Sequence, residues 1–370
     1  MTKKEKPLHI LGAGPAGLCA AIGLATAGRE VHLHERYEVI GKRFQGDLQG
    51  LENWSLNENV LSQLKTFGLK IQFAATPFHE VTLTDGKTFF KKKSSEPLFY
   101  LVKRGPFQDS LDKSLEQQAK EAGVNIHYHS RGRQKADIVA TGPLRGSLAA
   151  VDRGIVFAID HPNIAVGIFH DELAYKGYSY FLVVDGYGCL CSVVFEDFHK
   201  LNGCFEKTVE MAQSKFKLNL KDAKPVGGVG GFSLNHPRVV DETLYVGESA
   251  GFQDLLWGFG IRTALTSGYL AAQAILYQQD YNGLVDQKLT PFLKASMVNR
   301  YLWEKMKIGK KPIIPMMLRL PIPVRGGFQQ LYGFSFIHKM LYPFAEKYVK
   351  QHYGRNMDEK HIGEFNGISN

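Results

Sequence analysis

Residues 9–36 read HILGAGPAGLCAAIGLATAGREVHLHER, and their spacing predicts a strand, a glycine turn, a helix and a second strand closed by an acid. Gly12, Gly14 and Gly17 follow the apolar run His9-Ile10-Leu11 in G-x-G-x-x-G order. Gly12 permits the tight turn out of the strand, Gly14 lets backbone approach a pyrophosphate, and Gly17 lets the next helix pack closely on the sheet. That helix, predicted over Ala16–Thr26 and ended by Gly28, starts with unpaired amides beside Gly14, Pro15 and Ala16. Val31-His32-Leu33-His34 alternates as a strand and delivers Glu35, with Arg36 beside it, at the ~20-residue spacing where a carboxylate meets ribose hydroxyls. The stretch predicts a dinucleotide held at its adenosine end. By itself it fits NAD and FAD equally.

At 370 residues, 44% apolar and 22% charged, the chain has the composition of a folded protein with two domains or three lobes. Its net charge of +9 suits a phosphorylated ligand or an anionic surface. No run of basic residues interleaved with aromatics predicts a nucleic-acid groove. Met-Thr-Lys-Lys-Glu-Lys is too short and too charged for a signal peptide, and no segment reaches the ~18 apolar residues of a spanning helix. A cytoplasmic protein is expected. Cys19, Cys189, Cys191 and Cys204 lack metal-ligand spacing, so no metal is expected. Cys189 and Cys191 share one strand face and are read as buried thiols, with a redox pair as the alternative.

Further along, the loop Tyr37–Phe44 places Arg43 where it faces either a cofactor or solvent. A helix is predicted over Asn59–Phe67, and a hairpin over Glu80–Lys93 turning at Asp85-Gly86. A strand over Leu98–Val102 is followed by a helix from Phe107 to Gly123 and a short strand at Val124–Tyr128. Ala136–Pro143 reads as a buried strand ending in a glycine turn, and residues 154–196 as strands dense in aromatics. A helix over Phe205–Phe216 and a glycine-rich strand and turn over Lys224–Phe232 follow. Leu244–Gly251 is a buried strand with a small-residue turn. Gly258-Phe259-Gly260-Ile261 then opens a long helix over Arg262–Gln279, whose free amides suit partial negative charge. From Pro291 the chain is helical, basic and aromatic, with breaks at Pro312, Pro315, Pro321 and Pro323.

Together these motifs resemble the glutathione-reductase-type flavoproteins in their aromatic-hydroxylase branch, and within it the geranylgeranyl reductase family. Four motifs carry the likeness: GAGPAG with Glu35; KRGPFQDSL containing Arg104; Ala136–Gly142; and VGESAG followed by GFGI. The resemblance implies an α/β chain: a Rossmann-like FAD-binding domain, an inserted antiparallel-sheet substrate domain and a C-terminal helical region. The implied boundaries are 1–45, 101–150 and 226–290 for the FAD domain, 46–100 and 151–225 for the substrate domain, and 291–370 for a helical cap. It also implies that Arg104 meets the FAD phosphates or adenosine and that Glu248 binds ribitol or pyrophosphate. The amides at Gly258, Gly260 and Ile261 would meet the pyrimidine side of the isoalloxazine. Glu248 stands where the family usually carries Asp, and Thr141 where the branch carries Asp. Gly177-Tyr178-Ser179-Tyr180-Phe181 lacks the Trp and Pro of the family's aromatic strand.

The activity implied is reduction of double bonds in an apolar isoprenoid or lipid-like substrate through the flavin N5, with NAD(P)H or a reduced ferredoxin-type protein as donor. A flavin monooxygenase using NAD(P)H and O2 is the alternative, and a non-catalytic flavin or lipid carrier a third. The aromatic strand 173–187, with Trp54, Phe99 and Trp257, is expected to supply the pocket wall or else ordinary core. His79, His161, His170 and His236 are the histidines considered as proton donors, and no residue is marked as catalytic. Basic and apolar residues alternate between Tyr301 and Tyr348, including Lys305, Lys307, Lys310, Lys311, Arg319 and Arg325. They fit a helical cap or peripheral membrane contact through 300–350.

Overall fold

The computed structural model describes residues 6–132, 135–143, 148–220, 222–232, 236–307 and 322–353. Lys310, Lys311, Arg319 and the breaks at Pro312, Pro315 and Pro321 lie outside them. The chain begins β1 (Leu8–Leu11), α1 (Pro15–Thr26), β2 (Val31–His34), β3 (Leu48–Glu52), α2 (Val60–Thr66), β4 (Ala75–Phe78) and β5 (Glu80–Thr84). Next come β6 (Phe89–Lys93), β7 (Phe99–Lys103), α3 (Leu111–Glu121), β8 (Asn125–His127), β9 (Ile138–Val139), β10 (Leu148–Ala158) and β11 (Ile164–Ile168). Then follow β12 (Tyr178–Val184), β13 (Tyr187–Val194), α4 (Leu201–Phe216), β14 (Lys224–Gly231), β15 (Val239–Val240) and β16 (Thr243–Tyr245). The remaining described helices are α5 (Ile261–Tyr277), α6 (Tyr281–Lys288), α7 (Thr290–Lys305), α8 (Val324–Tyr332) and α9 (Phe336–His352).

The first sheet has the order β15-β16-β9-β1-β2-β8, parallel except at the β15–β16 edge. Leu8, Ile10, Val31 and Leu33 share a core with Leu18, Ile22 and Leu24 of α1. The chain leaves β1 for β2 on one side and later fills the other side with β9. The C-terminal end of β1 is therefore the switch point at which an open α/β sheet forms its crevice. Two glycines of the motif fix this turn sterically. Gly12 has φ +95°, and a Cβ there would overlap the Ala140 carbonyl; one at Gly17 would overlap the Gly12 carbonyl. Helix α5 packs on α1 so closely that a Cβ at Gly268 would overlap the Ala16 carbonyl.

The second sheet has the order β14-β10-β13-β12-β11-β5-β6. It is antiparallel except between β11 and β5, because β5 comes from the earlier excursion and enters beside β11 in the same direction. Its two faces follow the period of two: Phe157, Phe181, Val183 and Leu190 pack with Ala212 of α4, while Tyr178, Tyr180, Leu182 and Val193 turn the other way. The sequence boundary at 226 falls inside β14, which pairs along β10, and the boundary at 101 falls inside β7. A third, smaller sheet, β3-β7-β4, links the two larger ones. The buried pair Arg262–Glu52 ties β3 to the start of α5.

Helices differ from expectation mainly at their starts. Ser110 caps α3 by accepting from the Lys113 amide (3.1 Å), so the helix begins after the predicted Phe107. Helix α4 begins at Leu201, earlier than Phe205, behind a 3-10 turn. Helix α9 runs through Pro343, which faces solvent. In the C-terminal region, buried Arg300 bonds Glu304 (2.8 Å), the Tyr353 hydroxyl (3.0 Å) and the Lys176 carbonyl. That network fastens α7 and the end of α9 to the loop before β12.

Candidate active site

One cavity of about 840 Å³ runs from the first glycine turn to the second sheet. Of the residues expected to bind the cofactor, all but Gly17 line it: Gly12, Gly14, Pro15, Ala16, Glu35, Arg36, Arg43, Arg104, Glu248, Gly258, Gly260 and Ile261. Gly17 lies beneath it, against Gly12 and Ala140. Ala140, Thr141 and Gly142 also reach the wall.

At the first end, Gly14 caps α1 without a side-chain hydrogen bond, and the first turn carries no acid. Unlike Gly12 and Gly17, Gly14 has open space where a Cβ would stand, with no atom beyond its own chain neighbours within 4 Å. This is backbone that a ligand can approach closely. Glu35 accepts from the amides of Ala13 (3.1 Å) and Tyr37 (3.1 Å). A carboxylate has about four lone-pair sites, so about two remain, matching two ribose hydroxyls.

The other end repeats the device. Gly260 caps α5 without a side-chain bond, again with no acid in the first turn, and both Gly260 and Ile261 line the cavity. Helices α2, α3 and α6 are by contrast capped by the side chains of Asn59, Ser110 and Asp280. A Cβ at Gly260 would overlap the Gln253 carboxamide, whose Oε1 is buried without a hydrogen-bond partner.

Polar side chains fill the middle. Arg43 donates to the Val229 carbonyl (2.5 Å) and lies 3.7 Å from Glu248, so two residues far apart in sequence meet across the cavity. Glu248 also accepts from the Gly231 amide (3.3 Å) and from Gln253 (3.4 Å). Arg104 is buried, with Nε and Nη2 on Asp112 (2.8 and 2.9 Å) and Nη1 on Gln49 (2.7 Å), and lies 4.0 Å above the Phe44 ring. Its guanidinium is thus braced mostly by protein.

Sequence reasoning missed four carboxyls on this cavity, Asp47, Asp112, Asp152 and Asp254, and the last two are strongly shifted. Burial pushes Asp152 up to about 6, Asp47 adds to the effect and Arg43 opposes it. Burial likewise raises Asp254 to about 6, opposed by the amides of Leu256 and Trp257 and by the Tyr332 hydroxyl. Asp254 is fully engaged holding the turn before α5. Asp152 has only the Cys191 thiol at 3.7 Å as a hydrogen-bond partner among the described residues. Its one sequence signal was an acid just ahead of the strand-rich run 154–196.

The far wall is apolar: Trp54, Phe99, Phe169, Tyr178, Tyr180, Trp257, Phe259 and Phe328. Trp54 meets Phe259 edge-on at 4.6 Å and Phe328 at 5.0 Å. The aromatic strand divides between the two expectations, with Tyr178 and Tyr180 on the wall and Phe181 in the core. Phe181 points to the α4 face beside Phe216, because alternate residues of β12 take opposite faces, and Tyr175, ahead of β12, lies under Lys200. Tyr187 lies beside Lys103 outside the cavity wall. His79, His161, His170 and His236 do not line the cavity, whereas His34 does. Cys189 and Cys191 are buried free thiols held well above their ordinary range by burial.

No protein-family profile and no curated protein sequence matches the chain. Solved structures do match over nearly its whole length. It is similar to a geranylgeranyl bacteriochlorophyll reductase-like protein from Thermoplasma acidophilum, with TM-score 0.64 and 17% identity over 98% of both chains. It is similar to the flavin-dependent brominase Bmp2, with TM-score 0.65 and 16% identity over 94% of this chain and 100% of that one. The myxobacterial chondrochloren halogenase CndH, described as an FAD-dependent halogenase, gives TM-score 0.59 and 15% identity over 92% and 97%. The chain thus has the α/β fold of these proteins, with a Rossmann-like domain, an inserted sheet and C-terminal helices.

Proposed function

We propose that this protein is an FAD-dependent oxidoreductase that reduces double bonds of an apolar, isoprenoid or lipid-like substrate. The observation that carries the reading is the single cavity joining two uncapped helix N-termini, with Glu35 at one end and aromatic walls at the other. Amides at α1 suit the pyrophosphate, and Glu35 the adenosine ribose. Glu248 and Asp152 offer hydroxyl acceptors midway, where a ribityl chain would lie, and the amides at Gly260 and Ile261 suit the electron-rich edge of a flavin ring. Bound FAD supplies the hydride chemistry. The protein's part is to hold the ring against a dry wall of Trp54, Tyr178, Tyr180 and Trp257, which excludes water from an apolar substrate. The donor is NAD(P)H or a ferredoxin-type protein. Purified protein should be yellow and release FAD on denaturation, and mass spectrometry of its extract should find an apolar molecule. A protein that neither carries nor takes up FAD would end this reading.

The second reading is a flavin monooxygenase. It is favoured by the likeness to the brominase, which is as close in fold as that to the reductase-like protein. Anaerobic reduction by a low-potential donor, followed by saturated product, supports the reductase. Substrate-stimulated NADPH oxidation with oxygen uptake and an oxygenated product supports the monooxygenase.

A further inference from the structure

Helix α9 carries a second surface that the cavity does not explain. Phe336 is 75% exposed, Ile337 65%, Met340 59% and Phe344 64%. Their spacing places the four on one side of the helix, while His338, Ala345 and Val349 on the opposite side are buried. The buried side alone secures α9 to the body: His338 Nε2 meets Asn299 of α7 at 3.2 Å. The exposed aromatics and aliphatics therefore serve no packing among the described residues, and a contiguous apolar face of this kind marks an interaction site.

Charge identifies the occupant. Lys339, Lys347 and Lys350 are exposed around the same face, against one acid in the helix, Glu346. Glu346 pairs with Lys350 at 3.2 Å, and among the described residues neither Lys339 nor Lys347 meets a carboxylate. Residues 308–321, IGKKPIIPMMLRLP, repeat the same mixture of cations and large aliphatics in sequence. Among the described residues no helix is long and apolar enough to cross a membrane. A projecting apolar stripe flanked by lysines fits the interfacial zone of a bilayer with anionic headgroups, entered from one side.

We propose that α9 docks the protein on an anionic membrane, with Phe336, Ile337, Met340 and Phe344 at the acyl boundary and Lys339, Lys347 and Lys350 against lipid phosphates. In sequence α9 follows directly on α8, which supplies Phe328 to the cavity wall. The docking stands on the surface alone and survives if the flavin reading fails.

Flotation of the full chain with phosphatidylglycerol–phosphatidylcholine vesicles, beside pure phosphatidylcholine vesicles, tests this directly. Wild-type protein should float with the anionic vesicles at least roughly tenfold better than with the neutral ones. Replacing Phe336, Ile337, Met340 and Phe344 together by Ser should abolish flotation, with the circular-dichroism spectrum unchanged because these side chains pack on nothing. Lys339→Glu with Lys347→Glu should remove the anionic preference. Equal flotation of the serine variant, equal binding to neutral vesicles, or no flotation of the wild type would overturn the proposal. So would a wild-type dimer, seen by sedimentation, that the serine substitutions dissociate without any vesicle binding.

Discussion

The two halves of the cavity are built from different materials. The dinucleotide half is backbone: glycine turns, helix amides and a carboxylate oriented by two amides. The sheet half is side chain: Trp54, Tyr178, Tyr180, Trp257 and Phe328. Backbone sites follow from steric limits that only certain residues satisfy, so they leave a mark in sequence. A wall of aromatics depends on which face each residue takes, and any large apolar residue fills it about as well. In the proposed reading the first half binds the cofactor and the second receives the substrate.

The largest predicted effect exploits a difference within the first half. Gly14→Val should fold and carry no flavin, because its side chain meets only cavity, whereas Gly17→Val should fail to fold through overlap with the Gly12 carbonyl. Thermal melts and flavin content of the two variants together separate ligand loss from fold loss. Next comes the C-terminal anchor. Arg300→Ala leaves buried Glu304 with Lys176 at 3.3 Å and the hydroxyls of Tyr348 and Tyr353 but without its buried guanidinium partner, and should destabilise by about 1.5–3 kcal/mol in denaturant titrations.

The same pair gives a pH dependence. Burial pushes the Glu304 carboxyl up, but Arg300 and the hydroxyls of Tyr348 and Tyr353 outweigh it and hold the group at about 2. A folded value below the ordinary 4.5 means that its stabilisation is present above about 4.5 and is lost as pH falls towards 2. That contribution is about 3 kcal/mol, measurable as a loss of melting temperature on acidification.

Glu35→Ala should weaken FAD binding by about 1.5–3 kcal/mol, read from flavin titration of the apoprotein. A further pH dependence concerns Asp152. Its folded value of about 6 lies above the ordinary 3.8, so it costs stability increasingly as pH rises from about 4 through 6. Asp152→Asn should raise the melting temperature above pH 6 and leave it nearly unchanged below pH 4. A variant with the wild-type pH profile would remove Asp152 from the electrostatics of the cavity.

How legible the molecule was follows the same division. The β1–α1–β2 unit, the turn at Gly142 and the start of α5 at Gly260-Ile261 could be read because each depends on a glycine or a period that sequence displays. The register of the second sheet could not: Phe181 and Tyr180 look alike in sequence but face opposite ways. Nor could the attachment of β14, whose glycines have no side chains to show a buried face. Asp152 was hidden because its shift arises from neighbours brought in by other segments. The passage of α9 through Pro343 was equally invisible, since a proline on the solvent side loses one hydrogen bond without disturbing the packed side.

The claim that both helix N-termini serve one cofactor is tested most directly by the flavin content of purified wild type and Gly14→Val, measured by absorption and by mass of the released cofactor. The account predicts FAD near one per chain in the wild type and none in a folded Gly14→Val protein. A folded Gly14→Val protein with full flavin, or a wild type that takes up no FAD, would contradict it.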